Sequence, residues 1–460
     1  MNYKKNLSRL LALPLLAGLY LGATTQTFAQ EPVRQDDEIK KMVDEISAKK
    51  LEEDVRKMVS FGTRHTLSTT TSKKEGIGAA REWVKSEFEK YAQASGGRMK
   101  VELDRFIVKA DGRRVPKDVE MANVMATLKG TDPTDDRVFI VSGHLDSRVS
   151  DVMDAKSKAP GANDDASGVA IVMEMARIMA SRQFPATLIF VAVQGEEQGL
   201  YGSTHLAERA KKENWNLVAM LNNDIVGNSF SNETGLHDNT RVRVFSEGTP
   251  ANETEEQARL RRTLGSDNDS PSRNLARYME MAGEKYVPQM DVVLEYRADR
   301  FLRGGDHTPF NKQGFTAVRM SEMNEDFDHQ HQDLRTENGT QYGDLVEFMD
   351  FEYLRKNAGV NLATMASLGL APAAPVKVGV LTADLTNKTD LKWEAPAKGP
   401  KPAGYYVLIR ATSSPTWEKK VLVTDTKASL PYSKDNYFFG VTSVDSEGHS
   451  SLPVLPVPVR

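Results

Sequence analysis

Short runs of apolar residues, each ending in polar side chains, organise the first three quarters of the chain. Residues 138–141 and 188–193 contain no polar side chain, which is typical of strands that are covered on both faces. Residues 166–180 lie between them and place apolar side chains at positions 169, 172, 173, 176 and 179, the spacing of one helical face. A strand, a helix and a second strand in this order predict a parallel crossover unit.

The same patterns predict further elements on either side of this unit. Helical periodicity is found in residues 39–58, 77–91, 200–211, 276–283 and 350–370. Strand-like runs occupy residues 101–108, 123–128, 217–222, 292–296 and 315–319. The polar segment 231–269 shows neither period. Together these elements predict an α/β fold, in which a mostly parallel but mixed sheet carries helices on both faces.

The chain changes character after residue 370. Residues 371–375 read Ala-Pro-Ala-Ala-Pro, a composition typical of a stiff linker, and short β-rich runs with many turns follow it. We therefore predict a domain boundary near residue 371 and an all-β sandwich at residues 371–460. This tail resembles a fibronectin type III domain through Trp393, the runs 405–410 and 437–441 and the turn 445–448. Its length of about 90 residues suits seven strands.

The first 29 residues predict a secretory signal peptide. Lys4, Lys5 and Arg9 precede the apolar run 10–21, and Thr-Phe-Ala at residues 27–29 is a suitable cleavage site before Gln30. The competing interpretation is a membrane anchor, but the apolar run is shorter than the roughly 20 residues that a span needs. We therefore expect a secreted or periplasmic protein with no membrane attachment after cleavage.

Charge and cysteine content narrow the classes of partner and metal site. The formal net charge is -4 over 460 residues, so the chain has no electrostatic footprint for nucleic acid or for an anionic membrane surface. The sequence contains no cysteine, which excludes disulfides and thiolate metal sites. Any metal must therefore be held by imidazoles and carboxylates. The oligomeric state is left open.

Polar residues of that kind gather where the predicted strands end. In open α/β sheets, ligands bind at the carboxyl ends of the strands. Two imidazoles and three carboxylates at strand ends or in adjoining loops suit zinc in an open catalytic site. These candidate metal ligands are His144, Asp164, Glu197, Asp224 and His307.

Two further residues are candidates for catalysis. Asp146 follows His144 by two positions on the same strand face, so we expect its carboxylate to accept the other ring N–H and orient the imidazole. Glu196 is adjacent to a candidate ligand but points elsewhere, which suits a general base. Taken singly, each residue has an ordinary explanation, such as a solvated pair or a helix N-cap. Their joint occurrence indicates the metal site.

Five segments, in the same order, match one known family. They read GHLDS at 143–147, GANDDASG at 161–168, GEEQGLYGS at 195–203, ND at 223–224 and DHTPF at 306–310. Over roughly residues 61–370 the chain resembles the co-catalytic di-zinc aminopeptidases of metallopeptidase family twenty-eight. The resemblance implies that residues 30–370 form a zinc peptidase domain.

The resemblance also implies roles for the candidate residues. Asp164 would bridge two zinc ions, with Glu197 and His307 completing one site and His144 and Asp224 the other. Glu196 would be the base acting on a metal-bound water, and the family places a cis peptide at Asp164-Asp165. No residue is assigned as the oxyanion donor, for which Tyr296, Arg300 and Arg303 are weak candidates. His329 and His331 either line the cleft or lie in a surface loop.

The expected function is that of a secreted zinc-dependent exopeptidase, an aminopeptidase that hydrolyses N-terminal residues from peptides. A carboxypeptidase or a glutaminyl cyclase on the same fold is the alternative, although cyclases keep only one zinc. A non-catalytic binding ectodomain is the third possibility, and it should have lost ligands that this chain retains.

Overall fold

A computed structural model describes residues 35–460, in which an eight-stranded mixed sheet carries helices on both faces. The predicted signal peptide lies outside the described residues. Among residues 35–460, no helix combines the length and the apolar character needed to cross a membrane.

The strands of the large sheet, apart from β6, lie near their predicted positions. They are β1 Met99–Val108, β2 Val119–Leu128, β3 Arg137–His144, β4 Thr187–Val193, β5 Asn216–Asn223, β6 Arg241–Phe245, β7 Asp291–Glu295 and β8 Ala317–Glu322. A small hairpin follows, with strands β9 Arg335–Glu337 and β10 Thr340–Tyr342.

Ten α-helices are described in residues 35–460. They are α1 Asp37–Asp44, α2 Ala48–Val59, α3 Gly76–Ala92, α4 Ser167–Met179, α5 Glu196–Gly199, α6 Tyr201–Lys212, α7 Glu255–Leu264, α8 Pro271–Tyr286, α9 His307–Lys312 and α10 Phe351–Leu370.

The order of strands confirms the predicted mixed sheet. Neighbours follow the order β1-β2-β4-β3-β5-β8-β6-β7. The central strands β4, β3, β5 and β8 are parallel, whereas β2 pairs antiparallel with β4, β1 with β2, and β6 with β8. In the register, His144 at the end of β3 pairs with Val193 at the end of β4. The carboxyl ends of the central strands therefore meet at one edge.

Side chains of the central strands alternate between two cores. In β4, Leu188, Phe190 and Ala192 pack with helices α1 to α4, α8 and α10. The alternate residues of β4 pack on the other face, against Leu206 of α6 and Phe310 of α9. This two-residue period explains why the strand has no polar position: each of its faces is buried.

One strand lies in a segment for which no element was predicted. β6 belongs to the polar segment 231–269, and its sequence alternates Arg241, Arg243 and the buried Val242 and Val244. Five residues are too few for a clear period, and the strand is stabilised by pairing with β7 and β8. Helix α7 lies in the same segment and buries none of its residues.

The C-terminal residues form two facing sheets, which confirms the predicted all-β sandwich. Its strands are β11 Val376–Leu381, β12 Thr389–Glu394, β13 Gly404–Ala411, β14 Lys419–Val423, β15 Lys427–Leu430, β16 Tyr437–Val444 and β17 Val457–Val459. One sheet has the order β15-β12-β11-β17 and the other β14-β13-β16. Trp393, Tyr405 and Val407 belong to the shared core. The likeness to fibronectin type III stays a prediction.

The predicted linker is held against the rest of the protein. Arg137 at the start of β3 donates from Nη2 to the carbonyl of Ala371 at 2.7 Å. Tyr278 of α8 donates its hydroxyl to the carbonyl of Ser450 at 2.8 Å. Residues 35–460 lie in one compact unit.

Candidate metal centre

The edge where the central parallel strands end carries the predicted ligands. His144 is the last residue of β3, Glu197 is the second residue of the short helix α5 that follows β4, and Asp224 comes directly after β5. Asp164 comes from the turn before α4, and its bond to Asp165 is the cis peptide that the resemblance implied. The fold therefore brings four of the five predicted ligands to one place.

The two carboxylate oxygens of Asp164 face different imidazoles. Oδ1 lies 3.0 Å from Nε2 of His144, and Oδ2 lies 2.8 Å from Nε2 of His331. On the first side, Asp224 Oδ1 is 3.8 Å from His144 Nε2. On the second side, Glu197 Oε1 is 2.9 Å from His331 Nε2. The result is two groups of three ligands that share Asp164.

This geometry fits a metal site. Ligand atoms of His144, Asp164 and Glu197 all lie within 4.8 Å of one another, and the three residues are buried. Nitrogen and oxygen ligands bind zinc at about 2.0 to 2.2 Å, so atoms that surround one ion are a few ångströms apart, as these are. The donor set of imidazoles and carboxylates suits zinc in a catalytic site.

His307 is not part of this cluster, and the prediction that it is a ligand is corrected. Its Nε2 lies 2.7 Å from the carbonyl of Ala298 and 3.6 Å from Oδ2 of Asp299. Successive residues at the start of a helix point about 100° apart. Asp306, the residue before α9, is buried and feels the charges of His144 and Asp224. The DHTPF segment therefore directs its aspartate towards the cluster.

His331 occupies the position that was predicted for His307. It lies between β8 and β9 in a stretch without regular structure, with a backbone φ of 56°. Its side chain is 19% exposed. An irregular loop has no period that predicts where a side chain points, so the sequence left His331 between a cleft residue and a surface residue. Its nearest signal was the dense DHQHQ run at 328–332.

Asp146 has a different role from the one predicted. The ring Nδ1 of His144 lies 3.0 Å from the backbone carbonyl of Asp146, whereas its distance to the carboxylate is 3.8 Å. The carboxylate instead accepts the N–H groups of Gly195, Glu196 and Glu197, at 2.9, 3.3 and 3.1 Å. Asp146 thus orients the imidazole through its main chain and holds the glutamate turn through its side chain.

Asp165 fixes the strand and the helix on which two ligands depend. Its Oδ2 accepts the N–H of His144 at 2.8 Å, and its Oδ1 accepts the N–H of Gly168 at 2.8 Å. A Cβ on Gly168 would come within 2.5 Å of the same carboxylate. Glycine is therefore required where α4 begins.

Two arginines contact the carboxylates of the proposed ligands. Arg148 donates from Nε to Oε2 of Glu197 at 2.9 Å, and its Nη2 lies 2.6 Å from Nδ1 of His331. Arg319 Nη2 lies 3.0 Å from Oδ1 of Asp224. Such partners hold ligands in place and tune metal affinity.

The electrostatics of the cluster reflect its surplus of carboxylates. Burial opposes the charged imidazole of His331, but Glu197 and Asp164 outweigh it and raise its pKa to about 10. Burial likewise opposes charging of His144, whose pKa is nevertheless raised well above its usual range by Asp164 and Asp224. A site that stabilises positive charge this strongly suits a divalent cation.

Glu196 differs from its neighbour Glu197. It is half-buried, and within residues 35–460 its carboxylate has no hydrogen bond or ion pair, while Glu197 is buried and held by Arg148 and His331. Desolvation raises the pKa of Glu196 well above its usual range. The charges of Asp224 and Glu197 raise this pKa further, whereas the charge of His144 lowers it. A carboxyl group with a raised pKa and free oxygens is suited to proton transfer.

Comparison with known proteins agrees with this site. Residues 123–349 match Peptidase family M28. A probable zinc metalloprotease of Leptosphaeria maculans is 49% identical over 424 residues, which cover 92% of this chain and 97% of that protein.

Two solved structures share the fold. The LapA aminopeptidase of Legionella pneumophila has a TM-score of 0.51 at 18% identity, covering 75% of this chain and 78% of that one. An aminopeptidase from Aneurinibacillus sp. strain AM-1 has a TM-score of 0.50 at 14% identity, covering 71% and 96%. The family match, together with close identity along nearly the whole chain, confirms the resemblance: this chain belongs to peptidase family M28.

Proposed function

We propose that this protein is a zinc-dependent exopeptidase that removes N-terminal residues from peptides, using two zinc ions. The observation that carries the proposal is the geometry of Asp164: one of its carboxylate oxygens faces His144 and the other faces His331. A carboxylate arranged in this way is suited to bridging two cations. The close relative from Leptosphaeria maculans, described as a probable zinc metalloprotease, supports the choice of metal.

The residues divide into two ligand groups. His144 and Asp224 would hold one ion, Glu197 and His331 the other, and Asp164 both. Bound zinc supplies a lowered pKa for water and polarisation of the scissile carbonyl. The surplus of carboxylates makes the site able to neutralise two divalent charges.

Glu196 would move the proton during hydrolysis. Its unpaired carboxylate accepts the proton of the attacking water and returns it to the amine of the leaving peptide. Asp146 accepts the backbone N–H of Glu196 at 3.3 Å and so fixes the turn from which this side chain projects. Base and ligand are thus adjacent in sequence but have separate tasks.

The decisive test is a panel of matched peptides with free or blocked ends. We expect zinc-loaded protein to hydrolyse substrates with a free N-terminus and to leave N-acetylated ones intact, with activity lost on chelation and regained with zinc. Cleavage of N-blocked peptides from the C-terminus would favour a carboxypeptidase, and cyclisation of N-terminal glutamine a cyclase. Binding of the peptides without hydrolysis would favour a non-catalytic binding ectodomain.

The number of ions needs a separate measurement. We expect elemental analysis of the loaded protein to find about two zinc ions per chain, since six ligand contacts exceed the needs of one tetrahedral ion. One tight ion with full activity would contradict the two-ion proposal and leave the peptidase proposal standing.

We also propose that the protein is exported, because the basic and apolar pattern of residues 1–29 is that of a signal peptide. N-terminal sequencing of the mature protein should begin at Gln30.

A further inference from the structure

A cavity of about 470 Å³ lies beside the metal centre. Its walls include Phe245 and Glu295, the last residues of β6 and β7, which pair with each other. Phe245 also pairs with Arg319 of β8, whose guanidinium contacts Asp224 at 3.0 Å. One side chain therefore separates the cavity wall from a proposed metal ligand.

A chain of ion pairs fixes one wall of this cavity. Glu325 binds Arg243 at 2.9 Å and Arg300 at 2.8 Å, so both of its oxygens are occupied. Asp299 binds Arg300 at 3.3 Å and Arg319 at 3.4 Å. These pairs connect the cavity to the cluster through Asp224. The wall is held at a defined distance from the reacting centre.

The remaining arginines of the lining have no such partner. Arg297 and Arg303 are exposed, and among the described residues the structure gives neither of them an ion pair. Four arginines against two glutamates line the cavity, a surplus of two positive charges. The proposed metal ligands next to it carry the opposite sign. A positive cavity at this position is suited to an anionic group that the carboxylates of the cluster would otherwise repel.

An apolar lip borders the same cavity. Phe301 is 73% exposed, the adjacent Leu302 is 89% exposed at a backbone φ of 58°, and Phe327 is 54% exposed. Large apolar side chains exposed together mark a binding surface more often than chance. Phe301 also lies 5.5 Å from the guanidinium of Arg297, so charged and apolar groups face the same space.

We propose that this cavity binds a carboxylate of the peptide substrate, through Arg297 and Arg303, while the phenylalanines contact the adjoining apolar part of the peptide. Guanidinium groups match carboxylates in a two-pronged geometry, which makes arginine suited to this task. The carboxylate belongs either to an acidic side chain near the scissile bond or to the free C-terminus of a short peptide. This inference rests on the proposed peptidase function and defines its substrate class.

The test uses the zinc-loaded full chain and pairs of peptides that differ by one charge. The pairs compare Glu with Gln at the first residue, Glu with Gln at the second, and a free with an amidated C-terminus. We expect about a tenfold higher kcat/KM for the charged member of one pair, as charge-assisted hydrogen bonds produce. The pair that responds identifies the source of the carboxylate.

Variants then link the preference to the cavity. The double variant Arg297→Ala/Arg303→Ala should reduce the preference to less than about twofold, because it removes the two guanidinium groups that would bind the carboxylate. Arg259→Ala is the matched control: this arginine is exposed on α7 and outside the cavity lining. It should leave the preference unchanged.

Three outcomes are distinguishable. Peptide hydrolysis with no charge preference in any pair would overturn the inference and keep the proposed function. A preference that persists in the double variant would place the carboxylate elsewhere and also overturn it. No hydrolysis of any peptide would overturn the proposed function and this inference with it.

Discussion

Two regions of this protein bury charged side chains, and they differ in how the charges are balanced. At the junction with the C-terminal sheets, Asp269 is bound by Arg410 through both oxygens, at 2.6 and 2.7 Å, and by Arg277 at 3.1 Å. Arg277 and Arg410 also donate to the carbonyls of Pro415 and Ser414. All three side chains are almost fully buried.

At the metal centre, the same kind of burial is not matched by cations. Asp164, Glu197 and Asp224 converge on two imidazoles, with Glu196 and Asp306 nearby. Arg148 and Arg319 each reach only one ligand carboxylate. Burial, aided by the charges of Asp146 and Asp224, raises the pKa of Asp306 to about 7.

The difference separates a structural role from a functional one. Buried ions that satisfy each other make a junction that is costly to break from one side. Buried carboxylates that face each other destabilise the fold and are kept because a cation and a reaction require them. The C-terminal sheets are thus held by an electrostatic junction, and the predicted linker at 371–375 is not their only connection.

The largest expected effect is on catalysis at the metal centre, where buried carboxylates outnumber the cations. Glu196→Gln should lower kcat by about 10² to 10⁴ while retaining zinc, since it removes the proton carrier and no ligand. Glu197→Gln is the matched neighbour and should lose zinc from one site. The measurement is kcat beside metal content at matched free zinc. Loss of zinc only in Glu196→Gln would reverse the two assignments.

The next largest effect concerns zinc binding, and it distinguishes which histidine is a metal ligand. His331→Ala should weaken zinc binding at one position by more than about 100-fold, since even residues that only support a ligand cost 10- to 100-fold. His307→Ala should keep the full zinc content, because its Nε2 faces a backbone carbonyl. Titration with a chromophoric chelator checks both variants. Equal zinc loss in the two would contradict the assignment.

Removing the carboxylate that neutralises Arg277 and Arg410 should lower stability without changing catalysis. Asp269→Asn leaves two buried guanidinium groups without a countercharge, so the free energy of unfolding should fall by about 3 to 5 kcal/mol. Asp267→Asn is the control, because Asp267 pairs with Arg261 at the surface and should contribute less than about 1 kcal/mol. Denaturant unfolding measures both. The kcat of folded Asp269→Asn protein should be unchanged.

The smallest effect concerns a partly balanced carboxylate on α8. Desolvation, aided by Glu284 and Asp291, raises the pKa of Glu280 to about 7. An acid whose pKa is raised by folding costs stability as the pH rises from its unfolded value towards about 7, and the cost is complete above that. Glu280→Gln should therefore stabilise the protein by about 1 kcal/mol at pH 8, after allowance for solvent screening, and have no effect near pH 4. Thermal unfolding at the two pH values tests this, and a gain at pH 4 would refute it.

Local sequence patterns were sufficient for much of the fold and of the site. Apolar runs identified the central strands. The polar residues at their ends and in one adjoining loop indicated His144, Glu197, Asp224 and Asp164 as candidate ligands, because strand ends in a parallel sheet share one edge. The proposed separation of tasks between Glu196 and Glu197 also follows from the divergence of adjacent side chains. These rules act over a few residues, so the sequence by itself determined the features that follow from them.

Only the tertiary structure decided the rest. His331 reaches Glu197 across 134 positions of chain, through a loop without a period, while His307 turns to Ala298. Other features also depend on segments that are distant in sequence. The carboxylate of Asp146 turns to residues 195–197 and leaves its carbonyl to His144, Asp269 pairs with Arg410, and arginines of several segments line one cavity. Such contacts are set by packing of the whole chain, and no local spacing records them.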